Sequence, residues 1–464
     1  MIETLRHSRR AAPHAAPAAQ RGLSLIELMV AMLLGLLVSA GIVALFSATS
    51  QTSRVQTAMS RIQENGRFAM SRVEADLRMA GAIFRQSTAA SSKSWTRAAE
   101  SALLSRNTIQ VNASPNPAMP PTGNPVLRDL GTETGRLAEW PAPAMYPLSA
   151  SFFVRGYECS TGTCVPAVPS GANGIPAAGA AVGNRVVGSD VLTVKYTRGT
   201  GWLYTVTSPV NSSGYNVTLA VDTTSGDGTF NFANDDLVLL SQCGSSPPML
   251  FQATVAGNVL TAKAGTLLDA TKFKPTNGDL TCDARVFNFT RDFVTVSYWL
   301  QLVADPNPGA TAGRLIPTLM RSENGVAQEL VQGVERLDFL YGAAMQTNGG
   351  LAYLTANQVS SNSNLANCPK PSPAFESGVG VNIDIWREPD CLWRALRSIE
   401  AHALFNTVDD VGAMATQDMA YWYSVDGGTG PAAPGTSMPV TGLAPGRMMR
   451  REFVSLVSIR NGSN

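Results

Sequence analysis

The sequence predicts an α+β chain in which one long N-terminal helix precedes a large β-rich C-terminal region. Three observations predict it. An unbroken apolar run extends from Leu23 to Phe46, a helical periodicity continues to about Phe84, and short β-branched and aromatic runs separated by turn residues fill the chain beyond Pro147.

The apolar run reads LSLIELMVAMLLGLLVSAGIVALF. It is long enough to cross a bilayer, since about 20 residues rising ~1.5 Å each match a ~30 Å hydrocarbon core. Near its start stands one carboxylate, Glu27. At roughly −0.3 to −0.6 kcal/mol for each large aliphatic residue against about +2.5 to +3.5 for one acid, the segment still inserts. Insertion does not explain the acid, and an ionisable residue in such a segment calls for a partner. The nearest candidate cation is an α-amino group at Leu23, one helical turn away, which exists only if the chain is cut after Gly22. Arg6, Arg9, Arg10 and Arg21 precede the run, with Glu3 the one acid among them. That asymmetry keeps the N-terminus cytoplasmic and exports the rest. A secretory signal cut near Ala48 or Ser50 fits poorly, because the run exceeds the usual apolar length of such signals and leaves Glu27 without a reason.

The heptapeptide Gly22-Leu23-Ser24-Leu25-Ile26-Glu27-Leu28 resembles the class III signal of type IV pilins and pseudopilins: a basic leader, Gly before the cut, an apolar residue after it and Glu as fifth residue of the mature chain. Phe is commonest at the position Leu23 occupies. The resemblance implies a prepilin peptidase that cleaves between Gly22 and Leu23, N-methylation of Leu23, and Glu27 as an assembly carboxylate paired with the α-amino group of Leu23, its own or a neighbour's. It divides the chain into a leader at 1–22, a pilin helix at 23–84 with 23–46 transmembrane, and an exported head at 85–464.

Beyond Phe46 the helix signal turns amphipathic. Val55, Met59, Ile62, Gly66, Ala69, Val73, Leu77 and Ala80 recur at steps of three and four, while Arg54, Arg61, Gln63, Glu64, Arg67, Arg72, Glu74, Asp76 and Arg78 are expected on the other faces. Gly35, Gly41 and Gly66 each cost about 1 kcal/mol relative to Ala in a helix, and close helix packing is the expected reason for them. The segment QENGRFAMSRVEADLRMAGA, from Gln63 to Ala82, resembles the equivalent region of PilW-type minor pilins.

From Gln86 to about Pro147 the chain reads as surface loop with short strands, because prolines in NPAMPPTGNP exclude helix and central strand. Strands are then expected at Ser151–Tyr157, Asp190–Thr197, Trp202–Thr207, Tyr215–Val221, Asp236–Ser241, Leu250–Val255, Phe293–Leu302, Arg314–Arg321, Val334–Tyr341, Leu396–Leu404 and Phe453–Arg460. The interval from Ala343 to Pro389 reads as an insertion. Several phrases again resemble PilW: Ser189 to Val194, Asp236 to Cys243, Glu329 to Leu337 with Tyr341-Gly342, and Arg450 to Asn461.

Formal net charge is +1 over 464 residues, and the leader carries three of the excess positive charges, so the mature chain is slightly acidic. Such a balance gives no electrostatic case for nucleic acid as a partner. Charged residues make up 15%, below the usual ~25%, which with 41 Gly and 28 Pro suits a loop-rich exported β protein. All six cysteines, Cys159, Cys164, Cys243, Cys282, Cys368 and Cys391, fall in the exported part, where an oxidising compartment permits disulfides. Sequential pairing is expected, Cys159–Cys164, Cys243–Cys282 and Cys368–Cys391, because each pair brackets one loop-like or hairpin-like stretch. No C-x-x-C spacing points to metal.

The mature chain would keep one histidine, His402, on an expected strand with no nucleophile motif beside it, so a structural role is expected. Asp222, Asp227, Asn231, Asn234, Asp235 and Asp236 offer oxygen ligands but depart from the EF-hand spacing, and solvated turns are the expected reading. No phosphate-binding loop follows a strand. Taken together, the resemblance implies a pilin-like fold, no enzymatic activity and no cofactor. It implies a minor pilin that primes type IV pilus assembly from an inner-membrane precursor with a periplasmic head, reaching the pilus tip after assembly and supporting motility and adhesion. Its implied partners are prepilin peptidase, other minor pilins, the major pilin, the inner-membrane assembly platform and a PilY-type tip adhesin. The alternatives are a J-type pseudopilin of type II secretion and a membrane-anchored periplasmic adhesin that never polymerises.

Overall fold

The computed structural model describes residues 24–81, 108–112, 144–147, 153–160, 162–168, 174–208, 218–226, 228–241, 249–262, 285–306, 313–344, 350–361, 392–393, 396–411, 419–427, 431 and 446–459. It is an α+β chain. Contacts divide it into two units, Met1–Thr57 and Ala58–Asn464, each described by itself.

Helix α1 runs Leu25–Met79 and contributes to both units. In the first unit its residues are almost all exposed, Leu25 to Phe46 included. By length and composition this helix could cross a membrane. In the second unit the periodic stripe is buried as expected, at Ile62, Gly66, Ala69, Val73, Leu77 and Ala80. The helix stops where Gly81 takes a left-handed φ of 72° and donates its N–H to the Lys195 carbonyl at 3.0 Å, turning that donor from the helix's last carbonyls to the sheet. Residues 82–84, expected to be helical, lie outside the described residues.

Among the described residues, the second unit carries three sheets. Before residue 270 lie β1 (Thr108–Asn112), β2 (Ala144–Pro147), β3 (Val154–Cys159), β4 (Cys164–Val165), β5 (Val191–Thr197), β6 (Tyr204–Ser208), β7 (Thr218–Val221), β8 (Leu237–Ser241), β9 (Met249–Ala256) and β10 (Val259–Ala262). Then follow β11 (Arg285–Asn288), the one-turn helix α2 (Phe289–Asp292), β12 (Phe293–Ala304), β13 (Leu315–Glu323), β14 (Val326–Gln332), β15 (Val334–Ala344), β16 (Leu351–Leu354), the short helix α3 (Ala356–Ser361), β17 (Leu396–Asn406) and β18 (Arg450–Ser458). The first sheet has the order β11-β8-β9-β10-β7-β6, with β1 added parallel to β9 and β2 antiparallel to β1. The second is β14-β13-β12-β5-β3-β4 and the third β16-β15-β17-β18. One core joins the buried stripe of α1 to the inner faces of the second and third sheets, through Val194, Tyr298, Leu319, Phe339, Ala401 and Phe405 among others. The first sheet closes over its own core of Trp202, Tyr204, Leu219, Phe251 and Val286.

The expected strands are present, with shifted ends. Among the described residues, β4, β10, β11 and β14 are not among the expected strands. β14 follows Asn324-Gly325, both at positive φ (51° and 85°), the two-residue turn that matches strand twist. β10 follows Gly257-Asn258, a two-residue turn in which Gly257 takes a positive φ of 61° and Asn258 does not. The interval read as an insertion after Ala343 carries β16 and α3. The last strand begins at Arg450, earlier than expected, because the Arg450 side chain is buried against Glu335.

Candidate functional site

The start of α1 is built locally. Ser24 and Glu27 form a capping box: the Ser24 N–H donates to Glu27 Oε2 at 3.0 Å, and the Ser24 hydroxyl accepts from the Ile26 N–H at 3.4 Å. The Ser24 carbonyl accepts the first helical bond, from Leu28 N at 3.1 Å. Glu27 thus satisfies a backbone donor at the start of an apolar helix. The S-x-x-E pattern of Ser24 to Glu27 is itself the sequence signature of this cap. Gly22 and Leu23 lie outside the described residues. The carboxylate is held against the residue that directly follows Leu23.

In the second unit the surprise is Asp76, expected on an outer face and found 3% exposed. It lies three residues after Val73 and four before Ala80, so the buried stripe itself carries it. Arg321 of β13 donates from Nε to Oδ2 at 2.7 Å and from Nη2 to Oδ1 at 3.3 Å, while the hydroxyls of Tyr196 on β5 and Tyr298 on β12 also donate to it. Burial alone would push the carboxyl up, but these hydrogen bonds and the Arg321 charge outweigh it and hold Asp76 below its usual value. A second buried pair lies across the third sheet. Arg450 Nε donates to Glu335 Oε2 at 2.7 Å, and Asn406 Nδ2 donates to Oε1 at 2.6 Å. Glu335 sits where the β15 register shifts, a bulge that re-aims its side chain.

His402 is buried at 3% exposure, with Glu452 Oε1 and Ser424 Oγ each 3.0 Å from Nδ1. Acyl-transfer chemistry needs the hydroxyl and the carboxylate on opposite ring nitrogens, so that one nitrogen takes the hydroxyl's proton while the carboxylate orients the ring through the other and stabilises the imidazolium. Here both meet the same nitrogen, and Nε2 faces Glu400 at 3.7 Å. The arrangement fastens the Tyr421–Asp426 segment to the sheet, together with the paired Arg336 and Asp426. The acidic cluster is likewise committed to turns: Asp222 accepts from Thr224 N, Asp236 from Ala233 N and Asn288 Nδ2, and Asn234 from Val255 N. Asp227 lies outside the described residues, and among those described no group of three potential ligands is placed to hold a metal.

Cys159 and Cys164 form a disulfide that closes the β3–β4 hairpin. Beside it Asp190 accepts from Cys159 N at 3.0 Å and Phe339 N at 3.1 Å. Cys243, Cys282, Cys368 and Cys391 lie outside the described residues.

Comparison with protein families gives two matches. Residues 17–43 match the prokaryotic N-terminal methylation motif, and residues 305–461 match the family described as Type IV Pilus-assembly protein W. Over those two stretches the chain is similar to PilW-type minor pilins. Gly22, Leu23 and Glu27 lie in the first; Arg321, Glu335, His402 and Arg450 lie in the second. The PilW match spans β13 to β18, hence the whole third sheet, and Asp76 lies outside both matches while its partner Arg321 lies within one. Comparison with curated proteins and with solved structures returned no match.

Proposed function

We propose that the chain is a structural, non-enzymatic minor pilin that primes type IV pilus assembly. Prepilin peptidase removes 1–22 and methylates Leu23, the apolar helix holds the precursor in the inner membrane with its head in the periplasm, and the mature protein joins other minor pilins at the tip. The observation that carries this reading is the Ser24–Glu27 box at the head of an exposed apolar helix inside a methylation-motif match. Cleavage frees an amine next to the residue whose N–H already meets Glu27, where the carboxylate can pair with it or with that of a neighbouring subunit. A PilY-type tip protein, the major pilin and the assembly platform are the proposed partners, and the other four cysteines the proposed further disulfides.

The test is Glu27→Ala. Leader removal should continue while incorporation into sheared pili is lost; normal incorporation contradicts the assignment. A J-type pseudopilin would instead show its loss in protein secretion, with pili and twitching intact.

A further inference from the structure

β18 is the outermost strand of the third sheet and, among the described residues, pairs only with β17. Its register runs from Asn406↔Arg450 to Ser398↔Ser458 without a bulge. Just past it, Ile459 N donates to Arg397 O at 2.9 Å. Odd-numbered residues therefore face their backbone groups toward β17, and the two-residue period turns the N–H and C=O of Glu452, Val454, Leu456 and Ser458 outward. The same residues place their side chains on one face of the sheet, where Val454 is 47% and Leu456 57% exposed.

Soluble proteins blunt such edges by shortness, bulges, proline or charge. Other edges of this head follow that practice. β16 has only four residues, and β14 carries a register shift against β13 and exposes Gln328 and Glu329. β18 has nine residues and no proline. Of its three charges, Arg450 is buried against Glu335, Arg451 is exposed on the opposite face, and Glu452 is engaged by Ser424 N and Oγ and lies against His402. A lipid surface would leave the outward donors and acceptors unpaired, whereas an extended backbone satisfies them. In a two-fold pair of β18 strands centred on Val454, the register that uses the full strand, each Glu452 would face the other copy's Leu456, a poorer match than an apolar strand.

We propose that the outer edge of β18 receives an extended segment of another protein, which adds a fifth strand to the third sheet and lays alternate apolar side chains along Val454 and Leu456. The proposal needs only this edge and stands whether or not the protein reaches a pilus.

A photo-crosslinking p-benzoylphenylalanine at Leu456, and separately at Ser458, in the full chain made by its native cells tests it, with the linked peptides sequenced by mass spectrometry. Both positions should link to one segment of a different protein, at sites two residues apart. Val454→Pro removes an outward N–H and spares the ladder, and should cut the yield roughly tenfold, as loss of one hydrogen bond and its fit would. Should that variant melt early, Val454→Lys places a guarding charge on the same face and should do likewise. Absent links, links to a second copy of the chain, links scattered without register, or yields unchanged in a folded Val454→Pro or Val454→Lys variant would overturn the proposal.

Discussion

The carboxylate of Asp76 lies 2.7 Å from Nε of Arg321, and that pair ties the last turns of the N-terminal helix to the central strands of the second sheet. Both groups are nearly excluded from water, and Tyr196 and Tyr298 complete the carboxylate's shell. Breaking a buried pair on one side strands the other charge, at about 3–5 kcal/mol. Asp76→Ala should therefore lower the denaturation midpoint of the head sharply. Replacing both partners with apolar residues, Asp76→Leu with Arg321→Met, should recover much of the loss. A single variant as stable as the parent would show that the pair does not fasten the helix.

The same carboxyl gives a pH signature. Its folded value is depressed, so its contribution is present above the unfolded value of about 3.9 and is lost as pH falls through the lower folded one. Asp190 and Asp338 run the other way, because burial raises both, and their contribution is lost as pH rises. That opposing trend is common to parent and Asp76→Asn, so their difference isolates Asp76. Urea midpoints from pH 6 to pH 3 should fall more steeply in the parent than in the variant; parallel curves would contradict the assignment.

Much of this architecture is readable from the chain because each signal is local. The apolar run, the three-and-four stripe from Val55 to Ala80 and the β-branched runs report elements directly. What stayed hidden depends on pairing across long separations. Asp76 is acidic, and only a guanidinium on a distant strand makes its buried position tolerable. Arg450 begins a strand because Glu335 waits for it. Other misses were local and legible in hindsight: Asn324-Gly325 announces a hairpin, and Ser24-x-x-Glu27 announces a cap.

Gly66 of α1 lies against the Phe453 ring of β18. A Cβ there would stand 2.4 Å from the Phe453 ring, so the expectation of close packing holds at this glycine. At Gly35 and Gly41 nothing lies within 4 Å. Gly66→Val should cost about 1–3 kcal/mol through overpacking, read as a lowered thermal midpoint. Phe453→Leu in the same chain should return part of it; an unchanged midpoint in Gly66→Val would contradict the contact.

The hairpin disulfide closes a short loop, so its loss should be modest. Cys159→Ala with Cys164→Ala should lower stability by about 2 kcal/mol on the loop-entropy account. Mapping of non-reduced peptides should return Cys159–Cys164 together with the two proposed pairs. A linkage joining Cys159 or Cys164 to any other cysteine would contradict the hairpin.

The most direct test of the pilin reading is intact mass with N-terminal sequencing of the protein taken from native membranes and from sheared pili. The account predicts a chain that lacks 1–22, begins at N-methylated Leu23 and is present in the sheared fraction. A chain that retains Met1, or one confined to membranes in cells whose major pilin is processed, would contradict it and leave an anchored periplasmic protein.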